Sequence, residues 1–528
     1  MKRIFLLCLV SWLSVCATAG AQTDSLALPA DSAAAPAAHT FPTADTLMAA
    51  DSAAAAPPKK YFWRAAGEVV GLNLGQWAFD RYVLRGFYSY ISWKTIRQNF
   101  HHGFEWDNDH LSTNMFAHPY NGSLYFNAGR ANGYNFWQSE LFAIGGSAMW
   151  EMFMESEYPS TNDIIATPVG GAALGEVLFR ASDYVLDDRS TGAERVGREL
   201  AAFVISPLRG LNRLINGQSW KRSATPGRQF GTPPVHLDFS LGLRALMYHD
   251  DGSRGRSGGV ARLSLEYGDR YATRCKVPYE YFSLLVELNA IKTQPLLSRV
   301  EVVGRLLSKE VLQARRCRLS VGLYQHFDFF DSDTISTYSP KEWEPCVVPY
   351  KFGTPASVGG GAMFRYGDAR RTFDAYVHAN GVLLGGVLSD FYRYYHRNYN
   401  WGSGFAVKVG LTGSVCHDRL TFAFHNQYYR LFTRSNWDSV VDGAPSPSDE
   451  PMDVLGDESI ASFNHLEGRV SYRLFKQLLL TWGLDWFYRH TCYDTYRWIN
   501  MGGWSYGTSE LFVSSHQVST QLMLTYRF

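Results

Sequence analysis

The sequence predicts a β-barrel membrane protein of the outer-membrane type, with about twelve antiparallel strands behind an N-terminal α-helical domain. Three observations predict this fold. From residue 235 to the C-terminus, apolar and polar residues alternate with a period of two, which is typical of strands with one apolar face. Most alternating segments are roughly ten residues or longer, the length of a tilted strand across a bilayer. Short turns and long polar connections alternate between them, as in outer-membrane barrels.

The composition fits this class and excludes several others. The 528 residues include 50 lysines and arginines against 49 acidic residues, so the formal net charge is +1, and we expect no nucleic-acid partner. Aromatic residues make up 15% and charged residues 19% of the chain, as expected for aromatic-rich β structure. The mean hydropathy of −0.19 excludes a polytopic helical membrane protein.

Residues 1–21 are predicted to be a cleavable signal peptide. A basic start, an apolar stretch from Ile4 to Val15 and the A-x-A site Ala19-Gly20-Ala21 indicate export. A lipoprotein signal ending at Cys16 is the alternative, although the valine before this cysteine fits that motif poorly. Residues 22–60 repeat alanine, aspartate, serine and proline. With so few bulky apolar side chains, they are predicted to be a disordered linker.

Residues 61–217 are predicted to form a helical domain, joined to the barrel by a linker at 218–234. Gly67, Gly71 and Gly75 lie on one face of a predicted helix, where they allow close approach of a second helix. The longest uncharged apolar run, Leu141 to Trp150, is shorter than the roughly 17 residues that a spanning helix needs. We expect these helices to pack together as a periplasmic cap or plug of the barrel.

The predicted barrel occupies residues 235–528. In its last strand Val518, Thr520, Leu522, Leu524, Tyr526 and Phe528 face one way, and Ser519, Gln521, Thr525 and Arg527 face the other. Short turns are predicted at 367–370, 415–417 and 475–476, and long polar connections at 331–351, 390–400, 437–459 and 493–509. Both ends of the barrel then lie on the side of the short turns, which is the periplasmic side in this class. The helical domain is expected to face the periplasm for the same reason.

A soluble β-sandwich is the alternative to the barrel. Sandwich strands are shorter, and a sandwich has no reason to combine a signal peptide with aromatic clusters at strand ends. These clusters are Phe391, Tyr392, Tyr394 and Tyr395; Tyr428 and Tyr429; and Trp486 and Tyr488. The closing Tyr526-Arg527-Phe528 resembles the C-terminal signature that the outer-membrane assembly machinery recognises. The expected partners are therefore outer-membrane lipid and, during biogenesis, that machinery.

The most distinctive segment lies within the helical domain. It contains His118-Pro119-Tyr120-Asn121-Gly122, Asn127-Ala128-Gly129-Arg130, Glu140, Trp150-Glu151, Pro159-Ser160-Thr161-Asn162-Asp163, Gly175-Glu176 and Arg180. Over roughly residues 90 to 217 the sequence resembles an uncharacterised family of outer-membrane proteins, common in Bacteroidetes and defined by a domain of unknown function. In that family a His-Pro start leads to a Pro-Ser-x-Asn-Asp turn and a Gly-Glu helix. The resemblance implies location and architecture, and it implies no established activity.

His118, Glu140, Glu151, Asp163 and Glu176 could converge as a metal or acid/base site in the core of a helix bundle. Of these, His118, Glu151 and Asp163 are the weak candidates for catalysis. No Glu-x-x-His or His-Glu-x-x-His spacing occurs, so no metal or other cofactor is expected. Asp107-Asn108-Asp109 begins like a calcium loop but lacks the required glycine and glutamate further on. The remaining polar residues are expected to fix helix packing: Asn121, Arg130, Glu140, Ser160, Asn162, Glu176 and Arg180. Ser160 to Asp163 also suits a helix start.

Charged residues of both signs occupy inward positions of the predicted strands. They include Arg262, Glu266, Glu287, Arg299, Glu301, Arg305, Asp374, Glu467, Arg469 and Arg473. Mixed signs favour ion pairs that fill the lumen over a selective channel. A phospholipase barrel would need a serine beside a histidine on neighbouring strand positions, and no His-x-Ser pair occurs on a candidate strand.

From these patterns we expect a non-catalytic outer-membrane barrel with a role in envelope transport or in docking a periplasmic partner. The competing hypothesis is a lipid- or cell-wall-modifying enzyme, whose site lies in the helical domain and whose barrel is an anchor. A passive pore is the third hypothesis.

Overall fold

The computed structural model describes residues 58–106, 109–248, 255–272, 275, 277–334, 348–368, 371–390, 399–433, 459–493 and 511–528. The predicted signal peptide, nearly all of the predicted linker and the aromatic cluster at Phe391 lie outside the described residues, as does most of each long connection.

Seven α-helices precede the first strand among the described residues. They are α1 (Phe62–Phe79), α2 (Trp93–His102), α3 (His118–Ala131), α4 (Phe136–Met149), α5 (Asp163–Val185), α6 (Gly192–Ile205) and α7 (Pro207–Ile215). Three π-helical turns extend them: Asp80–Leu84 after α1, Thr113–Ala117 before α3 and Trp150–Met154 after α4. Four helical segments therefore run through residues 62–84, 113–131, 136–154 and 163–185.

The twelve strands that follow close into an antiparallel barrel in which each strand pairs with its sequence neighbours and β1 pairs with β12. They are β1 (Val235–Tyr248), β2 (Ser257–Tyr267), β3 (Phe282–Ala290), β4 (Leu297–Ala314), β5 (Cys317–Asp331), β6 (Lys351–Asp368), β7 (Arg371–Leu388), β8 (Tyr399–Val415), β9 (Leu420–Thr433), β10 (Ser459–Arg473), β11 (Leu478–Tyr493) and β12 (Leu511–Arg527). The predicted fold class, a twelve-stranded antiparallel barrel behind an α-helical region, is confirmed.

The two ends of the barrel differ as the connection lengths predict. The short turns 315–316, 369–370, 416–419 and 474–477 lie at the end where β1 begins and β12 finishes. The long connections lie at the other end, which we call the loop end. The connection 268–281 between β2 and β3 is the exception, because it is long yet lies at the short-turn end.

Pairing across the strands fixes which side chains face outward. Arg299 of β4 reaches Glu467 of β10 across the lumen, with 2.7 Å between Nη1 and Oε2. Val300, the next residue, therefore faces outward, as does Phe329, which lies directly opposite it on β5. On the same side of the wall, Gly353 of β6 lies opposite Phe329.

The helical domain packs on this outward face of the barrel. Phe116 lies against Phe327 and Phe329, with ring centroids 6.5 and 5.8 Å apart, and Asn114 Nδ2 donates to Tyr399 Oη at 2.7 Å. A single apolar core joins the two parts. The predicted plug is therefore wrong: the described helices lie beside the strands, where they cannot fill the lumen.

Glycines allow the helices to approach closely. A Cβ on Gly122 of α3 would collide with the Thr167 carbonyl of α5, and a Cβ on Gly171 would lie 2.5 Å from the carbonyl carbon of Gly122. Gly175 of α5 and Gly146 of α4 meet rings of α3 in the same way. The glycine stripe predicted on α1 has no such role, because a Cβ at Gly67, Gly71 or Gly75 would meet no atom within 4 Å.

Candidate acid–histidine site in the helical domain

Polar side chains from three helical segments meet at the loop-end side of the helical domain. His118 is the first residue of α3 and follows the π turn Thr113–Ala117. Glu151 lies in the π turn Trp150–Met154, and Asp163 begins α5. A π turn adds a residue to the helical repeat and redirects the side chains beyond it, and such turns often mark functional sites. Two of the three segments thus reach the cluster through an irregular turn.

The structure brings the three weak catalytic candidates together. His118 Nε2 lies 3.8 Å from Asp163 Oδ2 and 3.9 Å from Asp109 Oδ2. Glu151 and Asp163 are both 2% exposed. Glu151 Oε2 accepts a hydrogen bond from the Ser160 backbone N–H at 2.8 Å. The site therefore places one imidazole near the buried carboxyl groups of Glu151 and Asp163 and the exposed carboxyl group of Asp109.

Two residues that the sequence did not single out complete the cluster. Glu155 accepts a hydrogen bond from the indole N–H of Trp150. Buried Asn99 of α2 donates through Nδ2 to the backbone carbonyls of Glu151 and Glu155, at 3.3 and 3.2 Å. Asp109, which the sequence placed in a failed calcium motif, lies in the same cluster. The i, i+4 spacing of Glu151 and Glu155 was the sequence signal that could have revealed the second acid.

The charge of the cluster is unbalanced. The carboxyl groups of Glu151, Glu155 and Asp163 and the exposed carboxyl group of Asp109 lie near a single histidine, so burial favours a proton on at least one of the buried carboxyl groups at neutral pH. Burial raises the pKa of Glu155, which lies in the connection before α5, to about 8. A carboxylic acid that keeps its proton at neutral pH beside an imidazole is an arrangement suited to proton transfer.

We expect the helical domain to become less stable as the pH rises from about 5 to about 8. The folded state holds the Glu155 proton up to pH values near 8, whereas the unfolded chain releases it near 4.5, so stability falls between these values and is flat above them. Thermal unfolding followed by tryptophan fluorescence across this range measures the slope. Glu155→Gln should make the slope shallower by the contribution of one proton, and an unchanged slope in that variant would contradict the assignment.

The other polar residues predicted in this domain lie elsewhere. Glu176 accepts two hydrogen bonds from Arg130, at 2.7 and 3.0 Å, and one from Arg180 at 2.8 Å. Arg180 also donates to the Pro278 carbonyl of the β2–β3 connection, so this triad ties α3, α5 and the barrel together. Asn121 donates to Gln76 of α1 at 2.5 Å. These contacts join the helices to one another and to the barrel.

Glu140 lies apart from the cluster, whereas the residues at the start of α5 border it. Glu140 lies near the start of α4, eleven positions before Glu151, and does not join the cluster. Ser160 and Asn162 border the cluster: Asn162 Nδ2 donates to Asp163 Oδ1 at 2.9 Å, and the Ser160 N–H binds Glu151. Their contacts therefore serve both the start of α5 and the site.

Charged side chains close the middle of the barrel lumen. Glu467 of β10 binds Arg299 of β4, and its other oxygen binds Arg262 of β2 at 2.9 Å. Glu287 of β3 binds Arg244 of β1 at 2.6 Å. The remaining lumen pairs among the described residues include Arg469 with Glu467, Arg299 with Glu301, Lys408 with Asp328, Arg365 with Asp374, and Arg270 with Glu266. Arg244, Lys408 and Asp328 were missed, because one strand alone does not show which charges meet across a lumen.

Layers above and below this network close the lumen further. On the loop side Phe330, Tyr350, Phe352, Tyr429, Phe463 and Phe487 form an aromatic cluster. Tyr429, which the sequence predicted at the membrane interface, is thus a lumen residue. On the short-turn side the β2–β3 connection enters the lumen, where Tyr271 donates to Asp374 at 2.9 Å and Arg305 donates to the Arg270 carbonyl. Arg473 lies inward at this end of β10.

One group in the lumen has the donor atoms of a metal site. His465, Glu467 and Asp485 offer ligand atoms within 4.8 Å of one another. Three arginine side chains, Arg262, Arg299 and Arg469, already bind the Glu467 carboxylate. Guanidinium groups therefore neutralise this group, and the donor set does not fit an additional cation.

The chain is similar to several solved outer-membrane channels, and one family model matches part of its helical domain. No curated protein matches the chain. Among solved structures, the CymD monoaromatic hydrocarbon channel has 12% identity and a TM-score of 0.21, with 56% of this chain and 89% of that chain covered. The Comamonas acidovorans anion-selective porin has 8% identity, a TM-score of 0.21 and coverage of 56% and 99%. The Escherichia coli outer-membrane protease OmpT has 7% identity, a TM-score of 0.15 and coverage of 57% and 100%. At such low scores these neighbours carry no functional information for this chain.

Residues 103–208 match the model of a domain of unknown function (DUF3943). This range contains Asp109, His118, Glu151, Glu155 and Asp163.

Proposed function

We propose that this protein resides in the outer membrane, where its barrel is a closed anchor and its helical domain is the working part. The observation that supports this proposal is the position of the lumen ion pairs and of the acid–histidine cluster. The lumen is filled by cross-lumen pairs such as Arg299 with Glu467, whereas the acid–histidine cluster lies in the helices outside the barrel. A filled lumen supports neither a passive pore nor a wide transport channel.

The cluster favours the lipid- or cell-wall-modifying enzyme over the non-catalytic role. Its position beside the barrel suits a substrate that is itself held in the membrane. In this proposal His118 accepts a proton from the substrate or from water, and Asp163 and Asp109 stabilise the imidazolium that forms. Glu155 supplies a proton to the leaving group, since burial keeps its pKa near 8. Glu151 is held by the Ser160 N–H.

Partner docking or envelope transport is the second candidate function. It is favoured by the hydrogen bonds at the start of α5, because Ser160, Asn162 and Asp163 would make them in a purely structural turn as well. The two functions give different results for the same conservative substitutions.

Complementation of a deletion strain separates them. Glu151→Gln keeps an acceptor for the Ser160 N–H, so it should cost only about 1 to 2 kcal/mol of stability, and barrel assembly should be normal in a heat-modifiable migration assay. We expect Glu151→Gln, Glu155→Gln and His118→Gln to assemble and to fail to restore the envelope lipid profile, measured by mass spectrometry. Glu140→Gln, a glutamate of the same domain outside the cluster, should restore it. Variants that assemble and restore the profile would exclude the enzyme.

A further inference from the structure

The surface that the helical domain turns away from the barrel is apolar without interruption. Every exposed residue of α1 is apolar or glycine: Phe62, Trp63, Gly67, Val70, Gly71, Leu74, Gly75 and Phe79. The exposed residues of α4 are Trp137, Leu141, Ile144 and Gly145. No charged side chain is exposed on the four helical segments 62–84, 113–131, 136–154 and 163–185. Charged residues of these segments point inward or to their ends.

These segments run alongside the strands. The start of α5 lies near the loop end, because the adjoining π turn Thr113–Ala117 contacts Tyr399, the first residue of β8. The finish of α5 lies near the short-turn end, where Arg180 contacts Pro278 and the ring of Tyr267, the last residue of β2. Each of the four segments exceeds the roughly 17 residues that span a hydrocarbon core. Among the described helices only α5 is both long and apolar enough to span one, and 72% of its apolar window is buried inside the protein.

The part of the outward barrel wall that the helices leave uncovered is apolar as well. On the part of the wall that the helices leave uncovered, Leu241, Leu243, Trp482, Leu522 and Leu524 are exposed, as on a lipid-facing barrel. The part of the wall that the helices cover lies at a similar height along the strands. It carries equally apolar residues, such as Val300 and Phe329. A domain seated at that level of a membrane barrel must itself be surrounded by lipid.

The two ends of the surface differ in polarity. At one end α2 exposes Lys94, Arg97, His101 and His102. At the other end, α6 and α7 lead into β1 and expose Glu194 beside apolar residues such as Phe203 and Leu211. Amphipathic helices of this kind lie at a membrane surface, and basic and aromatic residues are typical of the interfaces on either side of a spanning bundle.

We infer that α1, α3, α4 and α5, with their π turns, form a bundle embedded in the outer membrane beside the barrel, whose α1–α4 face contacts lipid acyl chains. The inference revises the expectation that the whole helical domain faces the periplasm: only α6 and α7 lie at the periplasmic surface. It does not depend on whether the acid–histidine cluster is catalytic.

Site-directed spin labelling tests this inference in the full chain, reconstituted in phospholipid vesicles, with the native cysteines replaced by serine. Nitroxides at Leu74→Cys and Leu141→Cys should be accessible to oxygen, which concentrates in the bilayer, and inaccessible to a water-soluble nickel chelate. Leu243→Cys on the exposed barrel wall is the matched lipid reference, and Lys221→Cys, at an exposed position of the connection between α7 and β1, is the aqueous reference. The two helix sites should group with Leu243→Cys.

Two results would overturn the inference. High accessibility to the nickel chelate at both helix sites would show that the bundle faces water, and low accessibility to both reagents would show that protein covers the face. Heat-modifiable migration confirms that each labelled variant is folded, and Ile144→Cys on the same face replaces a variant that does not fold. The complementation assay has a separate readout, so failure of one proposal does not imply failure of the other.

Discussion

Glu467→Ala is expected to lower the free energy of unfolding of the barrel by about 3–5 kcal/mol, because it leaves buried guanidinium groups without their counter-charge. Glu467 is 1% exposed and binds Arg262, Arg299 and Arg469. These arginines come from three strands, so the substitution removes ion pairs that join opposite sides of the lumen. Urea-dependent unfolding in detergent, followed by heat-modifiable migration, measures the change.

Glu266→Ala is the matched control for this substitution. Glu266 is also an inward glutamate, but its pair with Arg270 is partly exposed, with side chains 30% and 21% accessible. Its loss should cost less than about 1 kcal/mol. In planar bilayers the unsubstituted protein and Glu266→Ala should not conduct, whereas Glu467→Ala should show brief openings. Equal stability of the two variants would contradict the cross-lumen arrangement.

Gly122→Ala is expected to have the second large effect, on the helical domain alone. The added Cβ would collide with the Thr167 carbonyl oxygen, which belongs to the backbone of α5 and cannot rotate away. The cost should reach the upper end of the roughly 1–3 kcal/mol typical of overpacking. Limited proteolysis should then remove the helical domain and leave a heat-modifiable barrel fragment.

Gly71→Ala gives the comparison for this prediction. It makes the same change in the same domain, at a helix position where a Cβ meets no atom within 4 Å. Because alanine is the better helix former, this variant should be as stable as the parent or more stable by up to about 1 kcal/mol. If both variants resisted proteolysis equally, the close approach of α3 and α5 would be wrong.

The barrel could be predicted from the sequence because its information is local. A period of two, such as Leu524, Thr525, Tyr526 and Arg527 in β12, identifies a strand and its two faces without knowledge of its neighbours. The alternation of connection lengths then fixes which end is which. Lumen pairs such as Lys408 with Asp328 join strands that are not neighbours, and no pattern within one strand shows them.

The position of the helical domain could not be predicted in the same way. An apolar stripe on a helix looks the same whether it faces a helix, a barrel wall or lipid. The stripe at Gly67, Gly71 and Gly75 was therefore assigned to helix packing, although the close contacts are made by Gly122, Gly171 and their neighbours. The π turns, which turn Glu151 and His118 toward one another, have no sequence signature that would have brought these residues together in advance.

The outward wall beneath the helices has one property that bears on how the protein is made. Gln325, a residue of this wall, donates to the Val169 carbonyl of α5 at 2.8 Å and accepts from Tyr279. The wall also has a notch at Gly353, where Met115 sits so close that a Cβ would lie 2.9 Å from its Cγ. Without the helices, a primary amide and a bare notch would be exposed to hydrocarbon, where an unsatisfied polar group costs several kcal/mol. We therefore expect the helices to dock on the barrel before this part of the wall is exposed to hydrocarbon.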